Sequence, residues 1–325
     1  MVTWNSAREV EACLASVRAQ TYRPLTLRVL DNASTDDTRA RLAPITTTDE
    51  RIDADRNLGF SDAHNRLIAA SSAEFYLCLN PDVVLAPDFV ARIVDALRRD
   101  PRAGSATGKL LRATDARVID STGIVMLPSQ RHLDRGADRV DAGQYARAEY
   151  VFGASGAAAC YRREMLEDTK VPLHAPAEGR GFEYFDEDFF AYREDADLAW
   201  RAQLLGWNCL YVPDAIAHHG RRVTPERRGS LPAAINYYSV RNRFLLRIKN
   251  QTFGHALRFA LPTIARDLQV VGYVLLKERS SVGALRDVLR LWPRTWAKRR
   301  GIMARRRRPT GEMIAWFTQE PQPRP

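Results

Sequence analysis

The run "FYLCLNPDVVL", residues 75–85, decides how this chain folds. Phe75, Tyr76, Leu77, Cys78 and Leu79 are continuously apolar, and Val83, Val84 and Leu85 resume the run after Asn80-Pro81-Asp82. An unbroken apolar strand belongs to a sheet covered on both faces. Proline has no amide donor, so Pro81 stops the ladder, and Asp82 then stands at the carboxyl edge of the sheet. Asn-Pro and Pro-Asp are ordinary turn dipeptides. At the edge where α/β sheets bind ligands, however, a carboxylate can hold a divalent cation that bridges two phosphates. Mg2+ or Mn2+ needs only one or two carboxylates from the protein.

Apolar and amphipathic segments alternate on either side of this strand. "MVTW" (1–4) ends a strand; Ser6-Ala7-Arg8-Glu9 has the capping-box pattern, and Val10, Leu14 and Val17 follow at helical spacing. "LTLRVLD" (25–31) predicts a strand ending on Asp31, with a helix from near Asp36. "NLGFSDAHNRLIAA" (57–70) is a glycine turn leading into a helix, and "PDFVARIVDALRR" (87–99) a helix with Phe89, Ile93, Val94 and Leu97 on one side. This alternation predicts an α/β fold: a mostly parallel central sheet flanked by helices, with a Rossmann-like nucleotide-binding half. Asp31 and Asp82 then open onto one edge. Asp31 either caps the next helix or accepts hydrogen bonds from a nucleobase or ribose. Asn57, Gly59 and Asn65 mark a helix entry, with Gly59 permitting a tight turn or close approach.

Residues 182–197 hold seven carboxylates and six Phe or Tyr, a density that suits either an acidic helix start or a catalytic cleft. Within "EDADLAWRAQLLGW", Asp197 and Arg201 are spaced to pair and Leu198 and Leu205 to face inward. Asp195 is out of phase with that pair. It either complements the helix dipole or serves as a general base, its aromatic neighbours raising its proton affinity. Asp186, Glu187 and Asp188 compete for that role. His218 and His219 end a strand, and one imidazole can join Asp82 on a metal.

Taken in order, Thr3-Trp4-Asn5, Asp31-Asn32-Ala33-Ser34, Asn57-Leu58-Gly59-Phe60, Asn80-Pro81-Asp82 and Glu194-Asp195-Ala196-Asp197-Leu198 resemble the motifs of a family 2 glycosyltransferase of the GT-A fold. The resemblance spans about residues 1–240 and is nearest to the bacterial rhamnosyltransferase-like branch that builds cell-surface polysaccharides. It implies an inverting, metal-dependent enzyme that moves a sugar, rhamnose in the branch's commonest case. The donor would be a nucleoside diphosphate sugar, and the acceptor a hydroxyl of a cell-surface glycan or polyprenyl-linked molecule. Thr3, Asn5 and Asp31 would hold base and ribose, with Asn57, Gly59 and Asn80 also in the nucleotide-sugar site. Asn80-Pro81-Asp82 stands where the family has its Asp-x-Asp metal motif. Asp195 would be the base, with Asp188 and Glu187 as alternatives, and Asp82 and His219 the ligands of Mg2+ or Mn2+. Asn80 replaces the first aspartate of that triplet. The family's first strand also starts several residues earlier, so a start assigned too far downstream is expected.

Two other functions compete. A nucleotidyltransferase would carry an early G-x-G-T-R-like loop, and none stands near residue 5. A non-catalytic nucleotide-sugar-binding protein of the same fold is favoured only by the short first strand.

With 325 residues, 45% of them hydrophobic, the chain suits one large domain with an appendage. The expected division is a catalytic domain over 1–235, a basic helical extension over 236–308 and a disordered tail over 309–325. Residues 277–308 hold 12 Lys/Arg against 2 Asp/Glu, so the net charge of +10 resides there and the rest is balanced. Leu285, Val288, Leu289 and Trp292 recur at helical spacing among Arg286, Arg290 and Arg294, with Trp296 close by. A basic amphipathic helix of that kind suits an anionic membrane surface, and no nucleic-acid motif accompanies it. "FALPTIARDLQVVGYVLL" (259–276) is interrupted by Pro262, Arg266 and Asp267, which argues against a membrane span. No secretory signal opens the sequence, and Cys13, Cys78, Cys160 and Cys209 are too far apart for a zinc site. Together these imply a cytoplasmic protein at the inner face of the cell membrane.

Overall fold

The "FYLCL" run is a strand in the computed structural model, which describes residues 1–177, 179–221 and 233–318. The first half runs β1 (Val2–Thr3), α1 (Val10–Arg18), β2 (Val29–Asp31), α2 (Thr38–Leu42), β3 (Arg51–Asp53), α3 (Gly59–Ala69), β4 (Phe75–Leu79), β5 (Val83–Leu85), α4 (Phe89–Arg99), β6 (Ala103–Arg112) and β7 (Asp115–Ser121). Next come β8 (Ile124–Met126), β9 (His132–Asp134), β10 (Glu149–Val151), β11 (Ala158–Arg162), α5 (Arg163–Thr169), β12 (Val171–Ala177), β13 (Arg180–Glu183), α6 (Glu194–Leu204) and β14 (Asn208–His219). Five helices complete the described chain: α7 (Ala233–Asn250), α8 (Phe253–Arg258), α9 (Ala260–Leu276), α10 (Val282–Ala304) and α11 (Thr310–Thr318).

Strands β1, β2 and β3 pair in parallel, and β2 ends on Asp31 as expected. The larger sheet has the order β10-β14-β6-β11-β4, with β5 on β14 and β7 on β6. The helix-flanked α/β arrangement is the one expected, but the parallel pairing is confined to the small sheet and to β6–β14. Strand β11 runs antiparallel to both β4 and β6, and β5 and β10 run antiparallel to β14. Direction is not written in an apolar run: "AACYR" of β11 is as continuous as a parallel strand, and only its place in the chain decides which way it points. Helices α1 and α4 pack on one face through Val10, Leu14, Val17, Phe89, Ile93, Val94 and Leu97, the residues whose spacing predicted it. The other face is covered through Ile68, Met165, Phe185 and Leu198. All four cysteines are buried and free.

Three local expectations are corrected. The capping box at Ser6 does not form. The Ser6 hydroxyl donates to the Trp4 carbonyl (3.2 Å) and its N–H to Thr38 Oγ1 (2.7 Å), so the helix starts only at Val10. Loop-to-loop tethering has displaced local capping there. The segment 310–318 is not disordered: α11 buries Met313 and Phe317, and Phe317 packs on the rings of Trp200 and His255. Two apolar residues at helical spacing outweighed the basic and Pro-rich flanks; the last part of the expected tail, 319–325, lies outside the described residues. Finally, the apolar stripe of α10 splits, with Val288 and Leu291 inward and Leu289, Trp292 and Trp296 outward.

The basic helices are fastened to the acidic stretch by buried ion pairs. Lys298 Nζ lies 2.6 Å from Asp186 Oδ1, 2.5 Å from Glu183 Oε1 and 3.1 Å from Asp188 Oδ2, and Arg294 also pairs with Asp188. Lys249 pairs with Asp186 and with Asp197 (2.8 Å), and Arg201 with Asp197 (3.0 Å), all of them buried. Part of the C-terminal positive charge therefore neutralises carboxylates that could not otherwise be buried. Lys298→Met leaves three of them without their shared cation and is expected to cost about 3–5 kcal/mol. Lys277→Met, on the exposed surface, should stay within about 0.5 kcal/mol. Denaturant titration of both variants checks this, and equal midpoints would remove the network from the stability argument.

Candidate active site

Strand register brings the opening stretch to its partner. Strand β14 pairs antiparallel with β5 so that His219 lies opposite Val83. The Gly220 N–H donates to the Asp82 carbonyl (2.8 Å). Asp82 and His219, 137 positions apart, are thus neighbours: His219 Nε2 lies 3.4 Å from Asp82 Oδ1. On its other side His219 Nδ1 is 2.7 Å from Asp120 Oδ2, at the end of β7. Asp120 is itself held by Arg112 and Arg221, both at 3.2 Å. Burial opposes a charge on His219, but hydrogen bonds to Asp120 and Asp82 outweigh it and raise the imidazole to about 9.

Asp82, Asp120, His219 and Arg221 line a cavity of about 550 Å³ together with Asn80, Gly156, Arg193, Glu194 and Asp195. Asp195 reaches it from the first turn of α6, beside Glu194. Its Oδ2 accepts from the Gly156 N–H (3.0 Å) and its Oδ1 from its neighbour Ala196 (2.7 Å). Burial nevertheless pushes its carboxyl above the ordinary aspartate range, the two backbone donors opposing and Asp134 adding to the rise. The preceding turn is strained, with Phe190, Tyr192 and Arg193 at φ of 61°, 69° and 73°. Asn242 of α7 holds that turn, its Nδ2 lying 2.8–2.9 Å from the carbonyls of Phe189, Ala191 and Tyr192. Gly59, at φ +77°, is required by close approach: a Cβ there would lie 2.6 Å from the Phe190 carbonyl oxygen, which accepts from Phe60 and Ser61 at the start of α3.

Of the residues singled out from the sequence, Asn80, Asp82, Asp195 and His219 line the cavity; Thr3, Asn5, Asp31, Asn57 and Gly59 do not. Asp31 is fully buried and its oxygens accept from Thr3 Oγ1 (3.0 Å), Ser34 Oγ (2.6 Å), the Ser34 N–H (3.0 Å) and Arg39 Nε (2.7 Å). In this geometry Asp31 organises the loop after β2. Asn5 braces the same loop, its Oδ1 accepting from the Thr35 N–H (2.8 Å). Asn57 Oδ1 accepts from Asn32 Nδ2 (2.9 Å) and the Gly59 N–H (2.8 Å). The alternative bases are engaged elsewhere: Asp188 by Arg294 and Lys298, Glu187 by Arg180 (2.8 Å) and Asn65 (3.0 Å). Asp120, Gly156 and the arginines escaped the sequence reading, because nothing local distinguishes them from ordinary strand-end, turn and surface residues.

Among the described residues no group of three or more His, Cys, Asp and Glu is arranged to enclose a metal ion. One carboxylate oxygen and one imidazole nitrogen do fit a hard divalent ion that keeps its other positions for phosphate oxygens. Their 3.4 Å separation is near the roughly 3 Å between adjacent ligands of an octahedral ion. Asp120, hydrogen-bonded to Nδ1, would fix the orientation of that imidazole if it held such an ion.

Comparison with known proteins identifies the family and the fold. The family profile described as glycosyl transferase family 2 matches residues 1–169. The N-acetylglucosaminyl-diphospho-decaprenol L-rhamnosyltransferase of Mycobacterium tuberculosis is 32% identical over 240 residues, covering 67% of this chain and 74% of its own. The poly-beta-1,6-N-acetyl-D-glucosamine synthase of Staphylococcus aureus is 21% identical over 244 residues, which are 71% of this chain and 50% of that protein. Among solved structures, S. aureus TarS 1-349 in complex with UDP-GlcNAc is similar over 97% of this chain and 87% of its own (TM-score 0.55, 15% identity). GalNAc-T7 with UDP, GalNAc and Mn2+ is similar over 84% of this chain and 56% of its own (TM-score 0.52, 12% identity). At these identities the structural likeness speaks for the fold, which is the GT-A arrangement.

Proposed function

The chain belongs to glycosyl transferase family 2, and on that premise we propose that it is an inverting, divalent-metal-dependent enzyme. It transfers a sugar, rhamnose in the first instance, from a nucleoside diphosphate donor to a polyprenyl-diphosphate-linked glycan. The observation that carries this reading is the convergence of Asp82, His219 and Asp195 on one cavity. The rhamnosyl donor and lipid-linked acceptor are supported by the name of the mycobacterial relative.

In this reading Thr3, Asn5, Asp31, Asn57, Gly59 and Asn80 shape the nucleotide-sugar side, Asp31 through the loop it organises. Asp82 and His219 would hold Mg2+ or Mn2+, which when bound neutralises the negative charge gathering on the departing diphosphate. Asp195 accepts the proton of the attacking acceptor hydroxyl, as the new carbon–oxygen bond forms on the face opposite the breaking one. That single displacement inverts the anomeric centre. The backbone donors at Gly156 and Ala196 fix the carboxylate's orientation for the transfer. A panel of nucleotide sugars with Mn2+ should produce one donor that raises the melting midpoint and is hydrolysed slowly without acceptor. Stabilisation with no turnover, even with a prenyl diphosphate sugar added, would favour a binding protein of the same fold.

The enzyme would work at the inner face of the cell membrane. No helix among the described residues is long and apolar enough to cross a membrane, yet α9 exposes Leu261 (82%), Ile264 (55%) and Leu268 (69%) along its outer side. The segment 277–308 adds Leu289 (73%), Trp292 and Trp296 with Arg286 and Arg290. This combination suits adsorption to an anionic surface. Truncation before α10 would strip Lys298 from its carboxylates, so point variants are the proper test. Leu261→Ser with Leu268→Ser should weaken co-sedimentation with phosphatidylglycerol-containing vesicles at least about tenfold. Unchanged pelleting would defeat the membrane assignment.

A further inference from the structure

A second cavity, of about 440 Å³, lies at the junction of α8 and α9. Among the described residues its lining is mostly apolar, from Pro128 on the turn between β8 and β9 to Pro262 in the first turn of α9, with Arg258 and Thr318 as the polar members. Phe259, in the same lining, is buried and packs on the rings of His255 and Phe317, 5.0 Å and 6.0 Å away. Neither ring nitrogen of His255 has a hydrogen-bond partner among the described residues, and burial holds the imidazole at about 4. It is therefore neutral near pH 7, and Phe259 rests on an uncharged neighbour. Leu257 and Leu261, also in the lining, are strongly exposed instead. A concave apolar site bordered by exposed leucines keeps its surface in water at a cost, and it has the composition of a site for an apolar ligand.

Two elements tie this junction to the catalytic cavity. On α9, Pro262 lines the junction and Arg266 the catalytic cavity. Four residues apart, they share one face of the helix, separated by about 6 Å along its axis. On the turn after β8, Pro128 lines the junction, while Arg131 and His132 line the catalytic cavity. Thr263 Oγ1 donates to the Pro128 carbonyl (3.4 Å) and so fastens that turn to α9. Arg243, on the wall of the catalytic cavity, donates to the Ser129 carbonyl (2.8 Å). The two cavities are thus neighbours. Leu261 also belongs to the apolar outer side of α9, with Ile264 and Leu268.

That placement selects the occupant. A bilayer lipid lying at the junction would gain nothing from the cavity beside it. A lipid whose own head is the reacting molecule uses both.

We propose that the junction of α8 and α9 binds the isoprenoid chain of the prenyl-linked acceptor, beside the cavity that receives its sugar. It rests on the glycosyltransferase reading, and adds that the lipid part of the acceptor is held by the protein itself at a site of its own.

The test titrates the full chain, in EDTA and without vesicles, with geranyl and farnesyl diphosphate, using farnesol and inorganic pyrophosphate as competitors. Affinity should rise about tenfold or more from geranyl to farnesyl, the scale of burying one further isoprene unit. Farnesol should displace farnesyl diphosphate, and pyrophosphate should not. Ala260→Trp, which fills the junction, and Leu257→Asp, which sets a charge in its lining, should each weaken farnesyl diphosphate about tenfold or more. Leu276→Ser, a comparably exposed leucine at the far end of α9, should leave it within about twofold. Melting midpoints report the fold; should Ala260→Trp fail to fold, Leu257→Asp decides, since its side chain stands in solvent. In turnover, the two variants should raise KM for a prenyl diphosphate sugar about tenfold with little change in kcat. Affinity independent of chain length, displacement by pyrophosphate, or equal farnesyl diphosphate binding in a folded variant overturns the proposal. Weaker vesicle pelleting with an unchanged acceptor KM also overturns it, by giving the junction to bilayer acyl chains. A wild type that binds farnesyl diphosphate with the expected chain dependence, yet turns over no nucleotide sugar, would sink the glycosyltransferase reading instead.

Discussion

Replacing Asp195 by Asn is expected to lower kcat by about a thousandfold or more, within or beyond the range of a lost general base, while the donor's Kd changes by less than about twofold. The amide keeps the shape and can still accept from the Gly156 N–H, which in this structure donates to Asp195 Oδ2 at 3.0 Å, but it takes no proton. The pH dependence should carry the same signature. Burial raises the Asp195 carboxyl, and a base must be deprotonated to act. Activity should therefore fall as the pH drops through this raised value, placing the acid limb of kcat/KM above the usual aspartate value of about 3.9. A group whose folded pKa is raised contributes most to stability at low pH and loses that contribution as the pH rises through its folded pKa. The ionised Asp195 is thus a net cost to the fold near neutrality, and Asp195→Asn should melt no lower than the wild type. Paired initial-rate and melting measurements check both. A variant that keeps turnover, or loses it only by unfolding, would return the role to another carboxylate.

Asp82→Asn and His219→Ala carry the other large effect. In the proposed reading each removes one of the two residues that would hold the ion, and each should abolish metal-stimulated donor binding and lower kcat/KM by a hundredfold to a thousandfold, the scale of losing charge stabilisation at a leaving group. EDTA on the wild type should have the same effect and Mn2+ should reverse it. Asp120→Asn should be milder, about 10–100-fold in metal affinity, because it releases only the far side of the imidazole. Titrating Mn2+ against donor turnover in the three variants orders them. Turnover by Asp82→Asn at wild-type rates in EDTA would show that no cation is held there.

Much of this was legible in the residues. The strand ending before Asn80-Pro81-Asp82, the strand ending on Asp31, the inward face of α4 and the Asp197–Arg201 pair follow from periodicity and turn chemistry, which act over a few positions. The convergence of Asp82 with His219 was only an expectation, since it depends on β14 lying against β5 in one register. A shift by one residue would turn the imidazole to the other face of the sheet. Asp120, Gly156 and Asn242 were invisible for the same reason: each contributes to the site through a contact across dozens of positions.

The sequence by itself determined the α/β class, the family and the two acidic strand ends, because those are properties of local pattern and ordered motifs. Tertiary structure alone decided which carboxylates are spent on Lys249 and Lys298 and which face the cavity. It also turned the basic C-terminal segment partly inward and brought several arginines to the wall of the cavity that Asp82 and His219 line. The reason is physical: what a charged side chain does depends on which opposite charges reach it after burial, and chain spacing does not encode that distance.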